Sequence, residues 1–287
     1  QRLEPGRHVD SVAEDVPAIM DILADIDADA IRNAAICVYA GLVRGDIALE
    51  LRNVSGRSKP RDISLKIHKG EVVGLAGLLG SGRTSLAKLI AGIEPIAAGE
   101  IRINDRPVHI RRPGDAIAAG VALVPESRAT QGIIPAHSVE DNVTLAVLDD
   151  LSSAGFVDAA KLRATTDAQI NRLAIKTASR DHAVSTLSGG NQQKLVVARE
   201  LDRDTKCVIA GQPTRGLDVG SIEYIHKRLV AARDEGDGVL LISSELDEIL
   251  ALSDRILVMF KGRIVAEYSA EGADKAQIGL AMAGAVA

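Results

Sequence analysis

Two kinds of apolar pattern along this chain predict β-strands. Two early segments alternate apolar and polar residues, as strands with one buried face do: Ile47–Leu51 and Ile63–Ile67. Later segments are short runs of consecutive apolar residues, which are typical of strands buried on both faces: Val72–Ala76, Val121–Val124, Cys207–Ala210 and Val239–Ile242. The pattern therefore predicts an antiparallel layer beside a mostly parallel sheet.

Segments with helical spacing separate the apolar runs. They predict helices near residues 114–119, 191–201, 222–233 and 245–251, and a mostly helical region over 138–180 that begins at Ser138. Short strand pairs are predicted at 101–103 with 108–110, and at 255–259 with 263–268. Strands that alternate with helices indicate an α/β fold.

Residues 1–45 differ from the rest of the chain in their pattern of apolar and polar residues. Apolar residues recur there at helical spacing among Asp and Ala, from Val12 to Ile26 and again from Ile31 to Leu42. We expect one or two helices that act as a linker or extension. Because the chain begins with Gln1, we expect it to be a fragment or one half of a longer polypeptide.

Composition narrows the classes of function. The chain has 287 residues, 46% of them hydrophobic, which is enough to form a sizeable core. A net charge of −5 argues against a nucleic-acid partner held by a broad basic face. Cys37 and Cys207 form no metal or disulfide pattern, and no apolar stretch is long enough to cross a bilayer.

A glycine-rich segment follows the first buried strand. It runs from Gly77 to Ser85 and contains Gly77, Gly80, Ser81, Gly82, Arg83, Thr84 and Ser85. A strand, a glycine turn and a helix start form the context of a phosphate-binding loop, in which backbone N–H groups and the helix dipole face an anion. Thr84 is placed to offer its hydroxyl to Mg²⁺. A glycine turn that only packs between strand and helix is the alternative.

A second glycine pair opens another helix. Ser188, Gly189 and Gly190 lie within Leu187–Lys194, and the run Pro213–Asp218 follows about twenty residues later, after the strand that ends at Ala210. Two glycines at a helix start make a second site where backbone N–H groups can hold an anion.

With these motifs in order, residues 46–285 resemble the ATP-binding subunits of ABC transporters. The similarity is greatest to the second nucleotide-binding half of simple-sugar importer ATPases of the ribose, galactose and xylose type. The resemblance implies a P-loop NTPase core of ABC type with an antiparallel β layer and a helical subdomain at about 130–190. It also implies ATP and Mg²⁺ as cofactors. Nucleoside importers share much of the pattern.

The resemblance also implies that several catalytic positions are substituted. Arg83 stands where the phosphate-binding Lys is expected, and Gly211 and Gln212 replace the metal-orienting Asp and the catalytic Glu. Glu126 falls at the position of the Gln that senses Mg²⁺ and the attacking water, and Ser244 at the switch His. Since phosphoryl transfer depends on positioning and charge neutralisation, we expect impaired hydrolysis in this pocket. Slow turnover that uses Arg83 and Glu126 is the alternative.

In the family, two ATPase halves meet head to tail. Ser188, Gly189 and Gly190 are then expected to serve the partner's ATP, and Asp218 to touch the partner. The expected partners are a second ATPase half in the same or a homologous chain, membrane permease subunits and, indirectly, a periplasmic or extracellular sugar-binding protein. The expected location is the cytoplasmic face of the membrane. The rival interpretations are a structural half that does not hydrolyse ATP and a soluble ABC-type ATPase acting on DNA or ribosomes.

Overall fold

The computed structural model describes residues 46–148, 150–153 and 155–285. The predicted helices of residues 1–45 lie outside the described residues. In the described part, a six-stranded sheet and a four-stranded antiparallel sheet confirm the predicted α/β class with an antiparallel layer. No helix there combines the length and the apolarity that crossing a membrane would require.

The six-stranded sheet has the order β12-β11-β3-β10-β9-β6. Its strands are β3 (Val72–Ala76), β6 (Val121–Val124), β9 (Cys207–Gly211), β10 (Gly238–Ile242), β11 (Arg255–Phe260) and β12 (Arg263–Ser269). All neighbours are parallel except β11 and β12, which pair antiparallel as predicted. Every residue of β3, β9 and β10 is buried, including the Cys207 thiol, as expected for apolar strands with helices on both faces.

The four-stranded sheet has the order β2-β1-β4-β5. Its strands are β1 (Ile47–Ser55), β2 (Ile63–His68), β4 (Ala98–Ile103) and β5 (Arg106–Val108). The last two form the predicted hairpin, but its second strand begins and ends two residues earlier than the predicted 108–110. The predicted alternation of β1 is wrong at Glu50, which is only 4% exposed. Its carboxylate is buried because three cations surround it, at 2.8 Å from Arg52, 3.4 Å from Lys66 and 3.5 Å from Arg102.

Eight α-helices lie in the described residues. They are α1 (Arg83–Ile90), α2 (Pro113–Ala118), α3 (Val139–Thr144), α4 (Ala159–Arg172), α5 (Gly189–Leu201), α6 (Val219–Asp234), α7 (Leu246–Leu252) and α8 (Lys275–Met282). The predicted helical region 138–180 is only partly helical, because a two-residue hairpin, β7 (Ser152–Ser153) with β8 (Phe156–Val157), separates α3 from α4. A π-helical turn at Arg128–Gly132 follows β6.

Arg255 joins the two sheets. This β11 residue is 8% exposed, and its Nε donates to Glu71 Oε1 at 2.7 Å in the turn before β3. One terminal nitrogen donates to Glu267 Oε1 at 2.7 Å and the other to the Lys66 carbonyl oxygen of β2. Glu71 Oε2 accepts the His68 N–H at 2.7 Å. One guanidinium therefore links both sheets through a buried ion pair.

Candidate functional site

The glycine loop, residues Gly77–Ser85, lies at the carboxyl end of β3. Gly80 and Gly82 have φ values of +79° and +110°, a left-handed region that glycine adopts without strain. Gly82 is the N-cap of α1, so the helix N-terminus adjoins the loop. Ser81 is 5% exposed, and its Oγ has no hydrogen-bond partner among the described residues. Turn, helix start and orphaned hydroxyl together fit a loop shaped to hold an anion.

Two other loops contact this segment. The Gly262 N–H, in the β11–β12 turn, donates to the Ser81 carbonyl oxygen at 2.7 Å, and the Gly262 carbonyl accepts from Arg61 N–H at 2.7 Å. From the loop between β1 and β2, Lys59 Nζ donates to the Gly80 carbonyl oxygen at 2.8 Å. The glycine loop is therefore held by the sheet behind it and by two loops beside it.

Arg83 lies inside the protein. It is 7% exposed, and its guanidinium donates to the Ser243 carbonyl oxygen just after β10. Burial lowers the pKa of Arg83, and the negative charge of Glu126 opposes that effect. The residue at the expected phosphate-lysine position thus connects α1 to the neighbouring strand.

Thr84 and Glu126 form the oxygen-rich part of the site. Thr84 Oγ1 donates to Glu126 Oε2 at 2.8 Å, which brings together a hydroxyl from the first turn of α1 and a carboxylate from the segment after β6. A Cβ added to Gly211 would lie 3.3 Å from Glu126 N and 3.2 Å from the Val124 carbonyl oxygen. A side chain at position 211 would therefore enter the space beside Glu126. A cavity of about 200 Å³ opens beside these residues.

Gln212 and Ser244 are bound to each other. Gln212 Nε2 donates to Ser244 Oγ at 2.7 Å, and Ser244 N–H donates to Gln212 Oε1 at 3.0 Å. Gln212 is 8% exposed and has a left-handed φ of +47°. Both polar ends of the Gln212 amide are therefore bonded to Ser244. The two hydrogen bonds link the segments that follow β9 and β10.

Ser188, Gly189 and Gly190 start α5. The Ser188 hydroxyl caps the helix by accepting from Asn191, with Nδ2 at 3.0 Å and N at 3.4 Å. A Cβ on Gly190 would lie 2.1 Å from Ser221 Oγ and 2.8 Å from Asp218 Oδ2, so α5 and the start of α6 approach too closely for a side chain. The three atoms nearest to a Cβ on Gly189 all belong to the flexible end of the Arg128 side chain, the closest at 2.6 Å.

Asp218 caps α6. Its Oδ1 accepts Ser221 N–H at 2.9 Å, and its Oδ2 accepts the Ser221 hydroxyl at 2.7 Å. The Ser221 hydroxyl, followed by the Ser221 N–H, holds the pKa of Asp218 below its ordinary value. Gln193 Nε2 adds a buried 2.8 Å bond to the Pro213 carbonyl. The predicted Ser188–Gly190 and Asp218 segments are therefore brought together.

Sequence reasoning missed two arginines that lie between the two groups of site residues. Arg128 lies against Gly189 and donates to the Arg215 carbonyl at 3.1 Å. Arg215 in turn lies 3.9 Å from Glu126 Oε1. The available signal was closeness in the sequence. Arg128 is two residues after Glu126, and Arg215 lies inside the Pro213–Asp218 segment.

Glu248 of α7 is buried and accepts a hydrogen bond from the Pro213–Asp218 segment. It is 7% exposed, its Oε1 accepts the Thr214 hydroxyl at 2.7 Å, and His226 Nε2 lies 3.0 Å from the same oxygen. Burial alone would raise the pKa of Glu248, but hydrogen bonds from His226, Ser243 and Thr214 outweigh burial and hold the pKa below its ordinary value.

A pH-dependent contribution to stability follows from Glu248. Because the folded-state pKa is lowered, the stabilisation is present above the unfolded-state value of about 4.3 and is lost as pH falls through the folded-state value. We expect Glu248→Gln to lower the free energy of unfolding at pH 7, with a difference from the wild type that shrinks below about pH 4. Urea unfolding over this pH range measures the difference. The exposed Glu271→Gln is the control, and a pH-independent difference would contradict the assignment.

Comparison with known proteins adds a family match to this geometry. A family model described as "ABC transporter" matches residues 60–215, just over half of the chain. The chain is also 38% identical, over 92% of its length, to a putative ribose/galactose/methyl galactoside import ATP-binding protein 1 of Rhizobium meliloti (strain 1021).

A second relative is the nucleoside import ATP-binding protein NupA of Lactococcus lactis subsp. cremoris (strain MG1363), which is 40% identical over 83% of this chain. The chain spans about half the length of both relatives, 53% and 49%. Among solved structures, a dimeric post-hydrolysis state of the ATP-binding cassette MJ0796 bound to ADP and Pi matches with a TM-score of 0.65 and 21% identity. That match covers 77% of this chain and 98% of the cassette, and it shows that the two share a fold.

Proposed function

This chain belongs to the ABC transporter family, and we propose that it is the ATP-binding domain of a simple-sugar importer whose own hydrolytic site is impaired. The observation that carries the proposal is a contrast within the site. The segment Ser188–Gly190 is intact and tightly packed against Asp218, whereas Gln212 and Ser244 are bound to each other. The names of the sugar-importing relatives support the cargo class.

The residues of the glycine loop fit the triphosphate of ATP. The left-handed Gly80 and Gly82 and the start of α1 offer backbone N–H groups to phosphate oxygens. Thr84 Oγ1 and the Glu126 carboxylate are oxygen ligands of the kind that Mg²⁺ prefers, and their 2.8 Å contact places both beside the loop. When bound, Mg²⁺ supplies neutralisation of phosphate charge.

Proton transfer from an attacking water is the step that this chain lacks. A general base must accept that proton, and the neutral Gln212 amide is a poor acceptor for it. Gln212 is also engaged by Ser244 through both of its polar ends. The chain can therefore bind and orient a nucleotide while giving little help to its hydrolysis.

The intact motifs serve a second ATPase half in this proposal. The start of α5 at Ser188–Gly190 faces the γ-phosphate held by the partner's loop, and Asp218 lies beside the contact with the partner. A site in the partner half then drives transport, and closure of the two halves biases the permease between its two orientations. The assembly lies on the cytoplasmic face of the membrane, with permease subunits docked on the helical subdomain at about 130–190.

Turnover by the full 287-residue chain tests the impaired site. We expect ATP to bind and to be hydrolysed far more slowly than the roughly 1 s⁻¹ that enzymes commonly reach, as measured by nucleotide binding and by phosphate release. Phosphate release at the rate of roughly 1 s⁻¹ or more that enzymes commonly reach would contradict it. A rate indistinguishable from buffer, with retained binding to the second half, would favour a structural half that does not hydrolyse ATP.

Gly189→Asp tests the head-to-tail arrangement. The new side chain meets the flexible end of Arg128 instead of backbone, so we expect the fold to be kept. A carboxylate at the start of α5 repels phosphate, so hydrolysis at the partner's site should fall by about tenfold or more while nucleotide binding by this chain is unchanged. Gly189→Asn, which adds no charge, is the matched control. Equal losses at both sites would count against the arrangement.

Nucleosides are the second candidate cargo. The 40% identity to a nucleoside import ATP-binding protein favours this alternative. Uptake of labelled ribose and labelled uridine by cells that carry the complete transporter separates the two, because the permease and binding protein select the cargo. Uptake of uridine alone would replace the sugar assignment.

A further inference from the structure

We propose that Lys59, in the loop between β1 and β2, supplies the positive charge that binds phosphate at the Gly77–Ser85 loop in place of Arg83. The inference rests on the proposed nucleotide binding at that loop. It assigns to a residue outside the glycine motif the task for which position 83 is expected.

The first observation is that Arg83 already has a hydrogen-bond acceptor inside the protein. Its side chain is buried, and its guanidinium donates to the carbonyl of Ser243, which is itself only 2% exposed. If Arg83 turned toward the mouth of the loop, that carbonyl would lose its donor inside the protein, which is costly. Arg83 is therefore better suited to hold α1 against the end of β10 than to follow a ligand.

The second observation is the position of the Lys59 ammonium. Its Nζ lies 2.8 Å from the carbonyl oxygen of Gly80, in the middle of the loop. The aliphatic part of the Lys59 side chain lies beside Gly82 and Gly262. Its Cβ is 3.5 Å from where a Cβ on Gly82 would lie, and its Cγ is 3.2 Å from where a Cβ on Gly262 would lie. An ammonium has three donors, so the bond to Gly80 leaves capacity for phosphate oxygens.

The third observation is that the backbone around Lys59 is fixed to the loop that it would serve. Pro60 is buried, Arg61 N–H donates to the Gly262 carbonyl, and Gly262 N–H donates to the Ser81 carbonyl. Only the half-buried Lys59 side chain has to adjust when a ligand arrives. A cation held in advance loses little freedom on binding, which favours affinity.

The distinguishing variant is Lys59→Gln. Glutamine keeps part of the stem and an N–H donor for the Gly80 carbonyl but removes the charge, so the unfolding midpoint should stay close to that of the wild type. Calorimetric titration of the full 287-residue chain with ATP and with inorganic triphosphate measures the effect. We expect both ligands to bind about tenfold to a hundredfold more weakly, as for loss of a charge-assisted hydrogen bond.

Three further variants complete the experiment. Lys59→Arg, which restores a charge, should recover most of the affinity. Lys261→Ala should bind like the wild type, because that ammonium lies over the Phe260 ring, 4.9 Å from its centroid. Arg83→Gln should lower the unfolding midpoint while affinity for triphosphate stays near that of the wild type.

The outcomes separate this inference from the proposed function. Wild-type affinity in Lys59→Gln, or a large loss confined to Arg83→Gln, overturns the assignment of Lys59 and leaves ATP binding standing. A loss for ATP but not for inorganic triphosphate also overturns it, because Lys59 would then contact the nucleoside part of ATP. If the wild-type chain binds neither ligand, the proposed nucleotide site itself fails.

Discussion

ATP turnover is expected to rise by at least about a hundredfold when the four positions that the proposed function treats as substituted are changed together, since a positioned general base alone commonly contributes that much. The variant carries Arg83→Lys, Gly211→Asp, Gln212→Glu and Ser244→His, and is measured after assembly with the second ATPase half. The new carboxylate at 212 replaces an amide of the same shape, and the one at 211 enters the space beside Glu126.

One close contact in the structure shapes the control for this prediction. The Cβ of Asp at 211 would lie 3.2 Å from the Val124 carbonyl oxygen, so β6 must shift by a few tenths of an ångström, and the unfolding midpoint of each variant has to be checked. The matched control keeps Gln212 and restores the other three positions. We expect it to bind ATP and to hydrolyse it slowly. If the fully restored variant also bound ATP without faster hydrolysis, positions 211 and 212 would not be the cause of impairment.

Arg255→Met is expected to lower the free energy of unfolding by about 3–5 kcal/mol, because it leaves the Glu71 carboxylate buried without its charged partner. Glu71 is 4% exposed, so water cannot replace the guanidinium without opening the contact between the sheets. The same change removes the donors to Glu267 and to the Lys66 carbonyl. Urea unfolding measures the loss.

A double variant and an exposed pair give the controls. Adding Glu71→Gln to Arg255→Met removes the isolated charge and should recover part of the stability. Lys275→Ala breaks the ion pair with Asp247, whose side chain is 81% exposed, and should cost about 1 kcal/mol or less. If Arg255→Met cost no more than Lys275→Ala, the buried pair would not be what holds the two sheets together.

Local pattern predicted the strands well, and physical reasons explain the misses. Runs such as Val239–Ile242 are apolar throughout because helices cover both faces, and that signal is complete within a few residues. The β7–β8 hairpin has two residues in each strand, too few to show a period. Glu50 broke the predicted alternation because its cations come from β1, β2 and β4, and the pairing of strands is not visible in one segment.

The motifs named the candidate site residues but could not predict the contacts between them. The motifs identified Thr84, Glu126 and Gln212, and the fold places Thr84 against Glu126 and Gln212 against Ser244. The direction of Arg83 was not predictable, because its acceptor lies 160 residues away at Ser243. Lys59 carries no motif at all, and its place on the loop depends on how the two sheets meet.

The close approach of Gly190 to Asp218 and Ser221 limits how far these motifs can be exchanged between proteins. A graft of residues 188–190 into another member would carry a glycine whose place depends on a capping carboxylate and hydroxyl about thirty residues downstream. Substitutions on the two sides of this contact will not have additive effects, because they share one interface. For recombination of family members, the start of α5 and the start of α6 therefore form a single exchangeable module.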